Sequence, residues 1–303
     1  MKIIGDPNVK DRAWIDYSSL SNLMKCPRSY YWSTVRSIQT LPSGPLVFGT
    51  ACHDCKDAYY THKLQGAQHP TCMDAGIKKI REAFATEGPH IDDPIHNIQV
   101  CVDTMERYFE THKAEACTTI STESGFVLDL EEFCYVGKID RQVNVSMLGE
   151  CVEETKTTKI VGERWTQRTR PFLQGDGYVA AKTIITGKKP WGLILDIIPK
   201  PRATKTKGLV HTPAFRIPSA RTEEDIEMFL ADLSFWWDTK KRYEDAGFWP
   251  RNTESCSPLT GYSCWYRPLC LMYPNPFKLQ ELKIPGEYEI REWAPFEELL
   301  QGG

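Results

Sequence analysis

The first third of the chain carries apolar residues at helical spacing. This spacing predicts helices over 18–36, 46–64, 74–86 and 95–116. Ser18 and Ser19 are residue types that favour the start of a helix, so we place the beginning of the first helix there. Proline and glycine separate the first helix from the second and the third from the fourth, which predicts four distinct helices.

The middle of the chain changes to alternating apolar and polar positions. This alternation predicts three strands, over 126–135, 137–145 and 151–157, with turns near Gly137 and Gly149. A run of apolar residues over 191–199 predicts another strand, buried at the centre of a sheet. Helices and strands in this order predict an α/β core with one helical elaboration.

Two more helices and a cysteine-containing tail complete the pattern. A helix over 171–186 begins with a proline in its first turn, and a long amphipathic helix covers 221–246. The stretch 199–218 between them is basic and contains prolines. We expect one domain over 1–303, with a helical part at 1–118, a core at 119–200, a basic segment and long helix at 201–247, and a tail at 248–303.

Composition restricts the class of protein more than the fold. The 303 residues are 41% hydrophobic and 25% charged, which is ordinary for a globular protein and argues against a disordered or fibrous one. No apolar run reaches the length that spans a bilayer, and residues 1–16 lack the apolar core of a secretion signal. We therefore expect an intracellular, cytoplasmic protein without membrane contact.

The 11 cysteines are expected to be thiols, because disulfides are rare in a reducing compartment. Five stand singly among apolar neighbours and are expected in the core: Cys72, Cys101, Cys117, Cys134 and Cys151. Cys52 and Cys55 flank His53, and we interpret them as helix-packing residues. His96 and His112 belong to no motif, and we expect both at the surface.

Charge is distributed unevenly, although the net charge is only −3. Residues 156–207 contain twelve Lys and Arg against three Asp and Glu, which leaves −12 for the rest of the chain. Such a region suits a polyanion bound through its phosphates, whereas the ordinary alternative is a solvated face. Its position beside the residues described next favours phosphate binding, and we expect 188–207 to follow a nucleic-acid strand.

Asp140, Glu154 and Lys156 form a candidate catalytic group. Asp140 lies on the second predicted strand, and Glu154 and Lys156 are two residues apart on the third, so both project from one face. If the strands pair, the two carboxylates converge, and carboxylates suit Mg²⁺ or Mn²⁺. Such an ion activates water, while Lys156 orients or deprotonates that water or neutralises developing charge. The ordinary alternative is a surface Glu-x-Lys on an edge strand.

Residues outside this group support the interpretation. His53 follows small residues at a helix start, which leave space for an inward imidazole. Gln174 and Tyr178 are four apart on a predicted helix, so they share a face. Three residues before that helix suit phosphate contact or base stacking: Trp165, Arg168 and Arg170.

In this order the motifs resemble those of RecB-type nucleases of the PD-(D/E)xK superfamily. They are Tyr17-Ser18-Ser19-Leu20 with Cys26-Pro27-Arg28, Phe48-Gly49-x3-His53, Gly137-x2-Asp140, Glu154-x-Lys156, Gln174-x3-Tyr178 and Cys256-x7-Cys264-x5-Cys270. The cysteines are similar to those of iron–sulfur versions in AddB-like subunits, CRISPR-adaptation nucleases and phage exonucleases. The resemblance implies a restriction-endonuclease-like core, in which helices flank a mixed central sheet. An N-terminal helical elaboration and a C-terminal lobe around a cysteine-ligated cluster would complete it.

The resemblance also implies a role for each motif residue. The implied set is His53, Asp140 and Glu154 as metal ligands, Lys156 as the catalytic lysine, and Gln174 and Tyr178 as residues that brace the site or contact the DNA backbone. Many relatives have Asp at the position of Glu154, and the family tolerates both. Glu153 competes for the ligand role, but its side chain should face away from Lys156.

Four cysteines bracket almost the whole chain: Cys26, Cys256, Cys264 and Cys270. Four thiolates suit one [4Fe-4S] cluster, which would join two distant segments. Zinc is the chemical alternative, and the resemblance favours iron–sulfur, although the spacing from Cys256 to Cys264 is wider than in several relatives. Aromatic residues would shield the cluster: Tyr30, Tyr31, Trp32, Tyr262, Trp265 and Tyr266. Four unrelated buried cysteines are the remaining interpretation.

The function these features indicate is a metal-dependent deoxyribonuclease. With Mg²⁺ or Mn²⁺ it would act as an exonuclease on DNA ends, leaving 5′-phosphates, in recombination, repair or processing. Its partner would be DNA that is single-stranded or has free ends, with a helicase, recombinase or single-strand-binding protein as a further partner. It would work in the host cytoplasm if phage-encoded. Two alternatives stay open: a non-cutting subunit that binds DNA ends, which the complete motifs oppose, and an RNA-processing enzyme.

Overall fold

A mixed sheet of six strands forms the centre of the fold. The structure is a computed structural model that describes residues 12–89, 91–205, 208–257, 263–278 and 283–292. Its strands are β1 (Trp14–Asp16), β2 (Ile38–Thr40), β3 (Cys117–Asp129), β4 (Cys134–Val145), β5 (Gly149–Thr158), β6 (Gly192–Pro199), β7 (Arg202–Thr204), β8 (Gly208–Val210), β9 (Phe215–Ala220) and β10 (Tyr288–Ile290). The sheet order is β1-β4-β5-β6-β9, and β3 also pairs with β4. The pairs β2–β10 and β7–β8 lie outside this sheet.

Helices cover both faces of the sheet. They are α1 (Tyr17–Lys25), α2 (Pro27–Tyr30), α3 (Gly44–Leu64), α4 (His69–Glu87), α5 (Ile98–Thr111), α6 (Glu163–Gln167), α7 (Leu173–Thr186), α8 (Glu223–Asp245) and α9 (Arg267–Met272). One core, which includes Tyr135 and Val152, lies under α7 and α8. A second core, which includes Phe48 and Tyr60, joins α3 to α4 and α5. The predicted α/β fold, a mixed sheet flanked by helices, is confirmed.

The single helix predicted over 18–36 is wrong. The segment forms α1, α2 and a π-helical turn at Tyr31–Val35, because Cys26 between α1 and α2 is extended. Pro27 follows Cys26, and a proline ring disfavours the helical conformation in the residue before it. In this break the backbone N–H of Asn252 donates to the Cys26 sulfur at 3.4 Å, so the two ends of the chain meet here.

The strand predicted over 126–135 is wrong because it contains a turn. β3 ends at Asp129, the backbone N–H of Leu130 donates to the carbonyl of Phe133, and β4 begins at Cys134. β3 starts at Cys117, and its first half is rich in threonine and serine and only partly buried. Apolar alternation therefore gives no signal for that half.

Glycine and proline led to two further errors in the predicted secondary structure. Gly137, expected at a turn, lies inside β4, where an added Cβ would come within 2.7 Å of Phe126 Cζ. The stretch 199–218, in which no strand was predicted, contains most of β9, which pairs antiparallel with β6. Pro218 lies in β9 without disrupting the sheet, because β9 is the last strand of the sheet order.

The remaining predicted helices and strands are present with shifted ends, and α4 begins at His69, five residues before its prediction. Of the two histidines expected at the surface, His96 is buried and His112 is half-buried. His96 Nδ1 lies 2.6 Å from Asp93 Oδ2, and His112 Nε2 lies 3.5 Å from Asp196 Oδ1, so each has a carboxylate partner.

Of the cysteines expected to pack in the core, Cys117 is half-buried and the others are buried: Cys52, Cys55, Cys72, Cys101, Cys134 and Cys151.

Within the described residues no helix combines the length and the apolar character needed to cross a membrane. The division of the chain into four parts of one domain stays a prediction.

Gly177→Ala should destabilise the fold, although alanine favours a helix over glycine by about 1 kcal/mol. Gly177 lies on α7 against β4, and an added Cβ would overlap the Tyr135 hydroxyl and come within 2.9 Å of Phe229 Cζ. Overpacking of this kind costs about 1–3 kcal/mol. Chemical denaturation measures the change. An increase in the free energy of unfolding would contradict the packing described here.

Candidate active site

The candidate site lies where strands β4 and β5 separate. Along one edge β4 pairs with β3 at Cys134–Ile139 and at Arg141–Val145. Along the other edge β4 pairs with β5 at Arg141–Val145 and with β1 at Cys134–Val136. Among the described strands none pairs with 137–140 on that second edge. Asp140 is the last residue of this gap, so its carboxylate lies at the opening between the two strands.

Asp140 joins strand β5 and helix α3 at this opening. Its Oδ2 accepts a hydrogen bond of 2.7 Å from the Thr155 backbone N–H and lies 3.4 Å from Nδ1 of His53. α3 approaches β5 closely because Gly49 has no side chain; an added Cβ would lie 3.1 Å from Thr157 Oγ1. Burial lowers the pKa of His53 against the opposing effect of Asp140. The neutral imidazole is therefore favoured, and this form binds metals.

Glu154 is a buried carboxylate with unused hydrogen-bonding capacity. It projects from the same face of β5 as Lys156, and its Oε1 lies 2.5 Å from Lys156 Nζ. Its Oε2 is buried and accepts no hydrogen bond within the described part of the chain. Burial, with Asp140 adding to it, raises the pKa of Glu154 to about 8. A bound cation would relieve the cost of such a buried, unpaired oxygen.

Two residues of helix α7 hold the side chain of Lys156 in place. Lys156 Nζ donates to Gln174 Oε1 at 2.7 Å, and Gln174 Nε2 donates to the Tyr178 hydroxyl at 2.8 Å. Tyr178 is only 5% exposed and packs edge-on against Phe126. The structure thus brings Gln174 and Tyr178 together as their spacing predicts. Their burial favours bracing Lys156 over direct contact with a nucleic acid.

The opposite face of β5 contacts a network of charged residues, of which the sequence patterns singled out only Glu153. Glu153 faces away from Lys156 as expected and accepts hydrogen bonds from Lys56 at 2.6 Å and Arg141 at 2.8 Å. Asp196 interrupts the apolar strand β6 and bonds Lys56 as well. One acidic residue in an otherwise apolar run is a signal that could have identified this network.

The sequence model of the PD-(D/E)XK nuclease superfamily matches residues 16–270. The chain belongs to this superfamily. A crystal structure from Eubacterium rectale described as "Putative exonuclease" is similar in fold, with a TM-score of 0.50 and 12% identity over 87% of this chain and 95% of that one. The structure of SSO0001 aligns over 74% of this chain and 88% of its own at 9% identity, and its TM-score of 0.25 is too low to indicate a shared fold. No curated protein matches significantly.

Membership confirms the resemblance found in the sequence and identifies the chain as a nuclease, a hydrolase acting on nucleic acids. PD-(D/E)XK nucleases usually use Mg²⁺ or a similar divalent ion. The unpartnered Oε2 of Glu154, with the carboxylate of Asp140 and the imidazole of His53 nearby, fits such an ion chemically. Within the described residues, however, no three His, Cys, Asp or Glu side chains already stand in a ligand arrangement.

The basic residues of 156–207 are not all available at the surface. Lys182 and Lys200 are buried, Lys188 pairs with Glu150, and Arg170 pairs with Asp225. Others are exposed on and around α6, just after β5: Lys159, Arg164 and Arg168. Lys207 lies outside the described residues. Arg168 lies 6.0 Å from the Trp165 ring, and phosphate binding by this stretch stays a prediction.

The four bracketing cysteines meet in one region. Cys26 and Cys270 are buried, and Cys256 and Cys264 are half-buried. The Cys264 N–H donates to the Cys256 carbonyl at 3.0 Å, and Trp32 Nε1 donates to the Cys270 sulfur at 3.3 Å. Besides burial, Cys26 and Cys264 help raise the pKa of both Cys256 and Cys270, so the four sulfurs are electrostatic neighbours. Tyr262, expected to shield them, lies outside the described residues.

Glu154→Gln should stabilise the metal-free protein increasingly as the pH rises. The folded-state pKa of Glu154, about 8, lies above its usual 4.5, so the folded chain holds a proton that the unfolded chain has released. Between pH 4.5 and pH 8, ionisation of Glu154 therefore makes the free energy of unfolding of the wild type fall as the pH rises. The variant has a neutral side chain at this position, so its stability lacks this contribution. We expect a difference of at least about 1 kcal/mol by pH 8, since one pKa unit corresponds to about 1.4 kcal/mol.

Thermal unfolding in EDTA from pH 5 to pH 8 measures this difference. Glu150→Gln is the matched control, because Glu150 is a partly exposed carboxylate on the same strand whose pKa is lowered, chiefly by Lys188. A wild-type and Glu154→Gln difference that stays constant with pH would contradict the raised pKa.

Proposed function

We propose that the protein is a metal-dependent DNA exonuclease that hydrolyses phosphodiester bonds at DNA ends. One observation carries the proposal: side chains from four separate elements meet at the gap between β4 and β5. They are His53 of α3, Asp140 of β4, Glu154 and Lys156 of β5, and Gln174 of α7. Membership of the nuclease superfamily supports this assignment of the gap as the active site.

His53, Asp140 and Glu154 would hold Mg²⁺ or Mn²⁺ in this proposal. Both carboxylates offer oxygen ligands of the kind these ions prefer, and the imidazole is held in its neutral form. When bound, the ion supplies Lewis-acid polarisation of the phosphate and a more acidic water.

Lys156 would act as a cation rather than as a base. Burial lowers the pKa of Lys156, but Glu154 and Asp140 outweigh burial and the pKa ends above its usual value. The side chain therefore keeps its proton and presents positive charge where the transition state gains negative charge. Gln174 accepts a hydrogen bond of 2.7 Å from the ammonium group of Lys156, and Gln174 in turn donates to the Tyr178 hydroxyl at 2.8 Å. They would act as positioning residues.

DNA with free ends, single-stranded or partly so, is the proposed substrate, and hydrolysis would leave 5′-phosphates. The similar Eubacterium rectale protein is described as a "Putative exonuclease", and this description supports action at ends. Recombination or repair in the cytoplasm, with a helicase, recombinase or single-strand-binding protein as partner, is the proposed setting.

A [4Fe-4S] cluster on Cys26, Cys256, Cys264 and Cys270 is the proposed second cofactor. The convergence of two segments more than 220 residues apart at Cys26 and Asn252 supports it. The aromatic cluster around Cys264 and Cys270, which includes Trp32 and Tyr266, would exclude water from the metal. Zinc on the same four thiolates is the chemical alternative.

Lys156→Ala should abolish digestion of linear single-stranded DNA, with a loss of about 100- to 1000-fold or more, because the transition state loses a preorganised cation. Gel assays with Mn²⁺ or Mg²⁺ on linear and circular DNA measure it. Lys113→Ala is the matched control, since Lys113 is 70% exposed and pairs with Glu110 outside the gap and outside the basic stretch. Cutting of circular DNA would change the mode to endonuclease. Wild-type protein with intact cofactors that is inert on both forms would refute the proposal.

Cys26→Ala should remove the bound metal and destabilise the protein. Elemental analysis and visible absorbance of anaerobically purified protein should show about four iron atoms per chain in the wild type and a loss of iron in the variant. Cys117→Ala is the control, because Cys117 is a half-buried cysteine outside the group. Zinc in place of iron would support the alternative. Neither metal in the wild type would exclude a cofactor at these cysteines.

A further inference from the structure

Lys56 is a buried lysine whose ammonium group bridges helix α3 and the sheet. Its side chain is only 4% exposed. Its Nζ donates to Glu153 Oε1 at 2.6 Å, to Thr155 Oγ1 at 2.5 Å and to Asp196 Oδ2 at 2.6 Å. An ammonium group has three hydrogens, so every donor of Lys56 is used. The contact therefore fixes the end of this side chain against β5 and β6 together.

Two of the three acceptors of Lys56 lie on either side of a proposed metal ligand. Glu153 and Thr155 flank Glu154 on β5 and project from the face opposite to it. Thr155 also donates its backbone N–H to Asp140 at 2.7 Å. Lys56 thus holds the stretch of strand that presents Glu154 on one face and anchors Asp140 at its edge.

The same lysine fixes the helix that carries His53. On α3, Gly49 lies about one turn before His53, and Lys56 lies about one turn after His53. Gly49 lets α3 approach Thr157, where an added Cβ would lie 3.1 Å from Oγ1. α3 is therefore tied to β5 at two points, and His53 lies between them.

The charge around Lys56 is balanced. The centre of this network consists of three cations, Lys56, Arg141 and Arg216, and three carboxylates, Glu115, Glu153 and Asp196. At its margin the half-exposed Lys63 lies 3.4 Å from Glu115, and His112 lies 3.5 Å from Asp196. Burial lowers the pKa of Lys56, but Asp196 and Glu153 outweigh burial, so the side chain stays charged and keeps three hydrogens. Apolar residues of similar volume often match or exceed the stability of a buried ion network. Stability alone therefore gives no reason for a lysine at this position, whereas precise placement of the strand and helix does.

We infer that Lys56 is a positioning residue that sets the separation of His53 from Asp140 and Glu154 and so the affinity of the site for its divalent ion. This inference rests on the proposed function, in which these three residues hold that ion. Residues that orient metal ligands typically contribute 10- to 100-fold to metal affinity.

Mn²⁺ binding to the full chain tests the inference without requiring activity. Titration followed by the electron paramagnetic resonance signal of free Mn²⁺ should show binding about 10- to 100-fold weaker for Lys56→Met than for wild type. Lys182→Met is the matched control: Lys182 is also buried and bridges α7 to the sheet through Gln142 and Glu150, away from the proposed ligands. Lys182→Met should lose stability and retain wild-type Mn²⁺ affinity.

If Lys56→Met does not fold, Lys56→Met/Asp196→Asn answers the same question, because it removes one charge of each sign from the network. Mn²⁺ affinity equal to wild type in a folded variant would overturn the inference while leaving the proposed nuclease intact. An equal loss in Lys182→Met would also overturn it, because the effect would then follow general stability. Absence of Mn²⁺ binding by the wild type would refute the metal site itself, and the positioning role with it.

Discussion

The separation of β4 from β5 at Asp140 is the constraint on which the rest of the site depends. A continuous sheet isolates its two faces, so a residue under α3 and a residue under α7 cannot act on one substrate atom. The gap at 137–140 removes that barrier. His53 approaches from the α3 face, Lys156 lies on the α7 face, and Asp140 stands at the edge between them.

The two faces of β5 handle buried charge in opposite ways. On the α3 face Glu153 is fully paired. Burial raises the pKa of Glu153, but the neighbouring cations, chiefly Arg141, outweigh burial, so the pKa is lowered. On the α7 face Glu154 keeps an unpartnered oxygen and a raised pKa. A satisfied network rigidifies the strand, while an unsatisfied carboxylate on the same strand is destabilised until a cation arrives. A metal-dependent site needs both a rigid strand behind it and a carboxylate oxygen within it that is free to bind the ion.

The sequence predicted the shared face of Glu154 and Lys156 and that of Gln174 and Tyr178 from local periodicity, whereas the position of Asp140 also depends on how the strands pair. Residues two apart on a strand or four apart on a helix share a face whatever the tertiary fold. The network around Lys56 could not be predicted in this way, since its members lie up to 160 residues apart and a helical lysine normally lies at the surface. His112 was misplaced for the same reason: its partner, Asp196, is on a distant strand. The break at Cys26 was available from the sequence, because Pro27 marks it.

Anomalous X-ray scattering from crystals soaked in Mn²⁺ tests the central claim most directly, because it locates the ion without assuming a substrate. We expect a strong peak in the gap between β4 and β5, about 2.0–2.3 Å from a nitrogen of His53 and from carboxylate oxygens of Asp140 and Glu154. A peak elsewhere that none of these three residues contacts, or no peak under conditions that support DNA cleavage, would contradict the account.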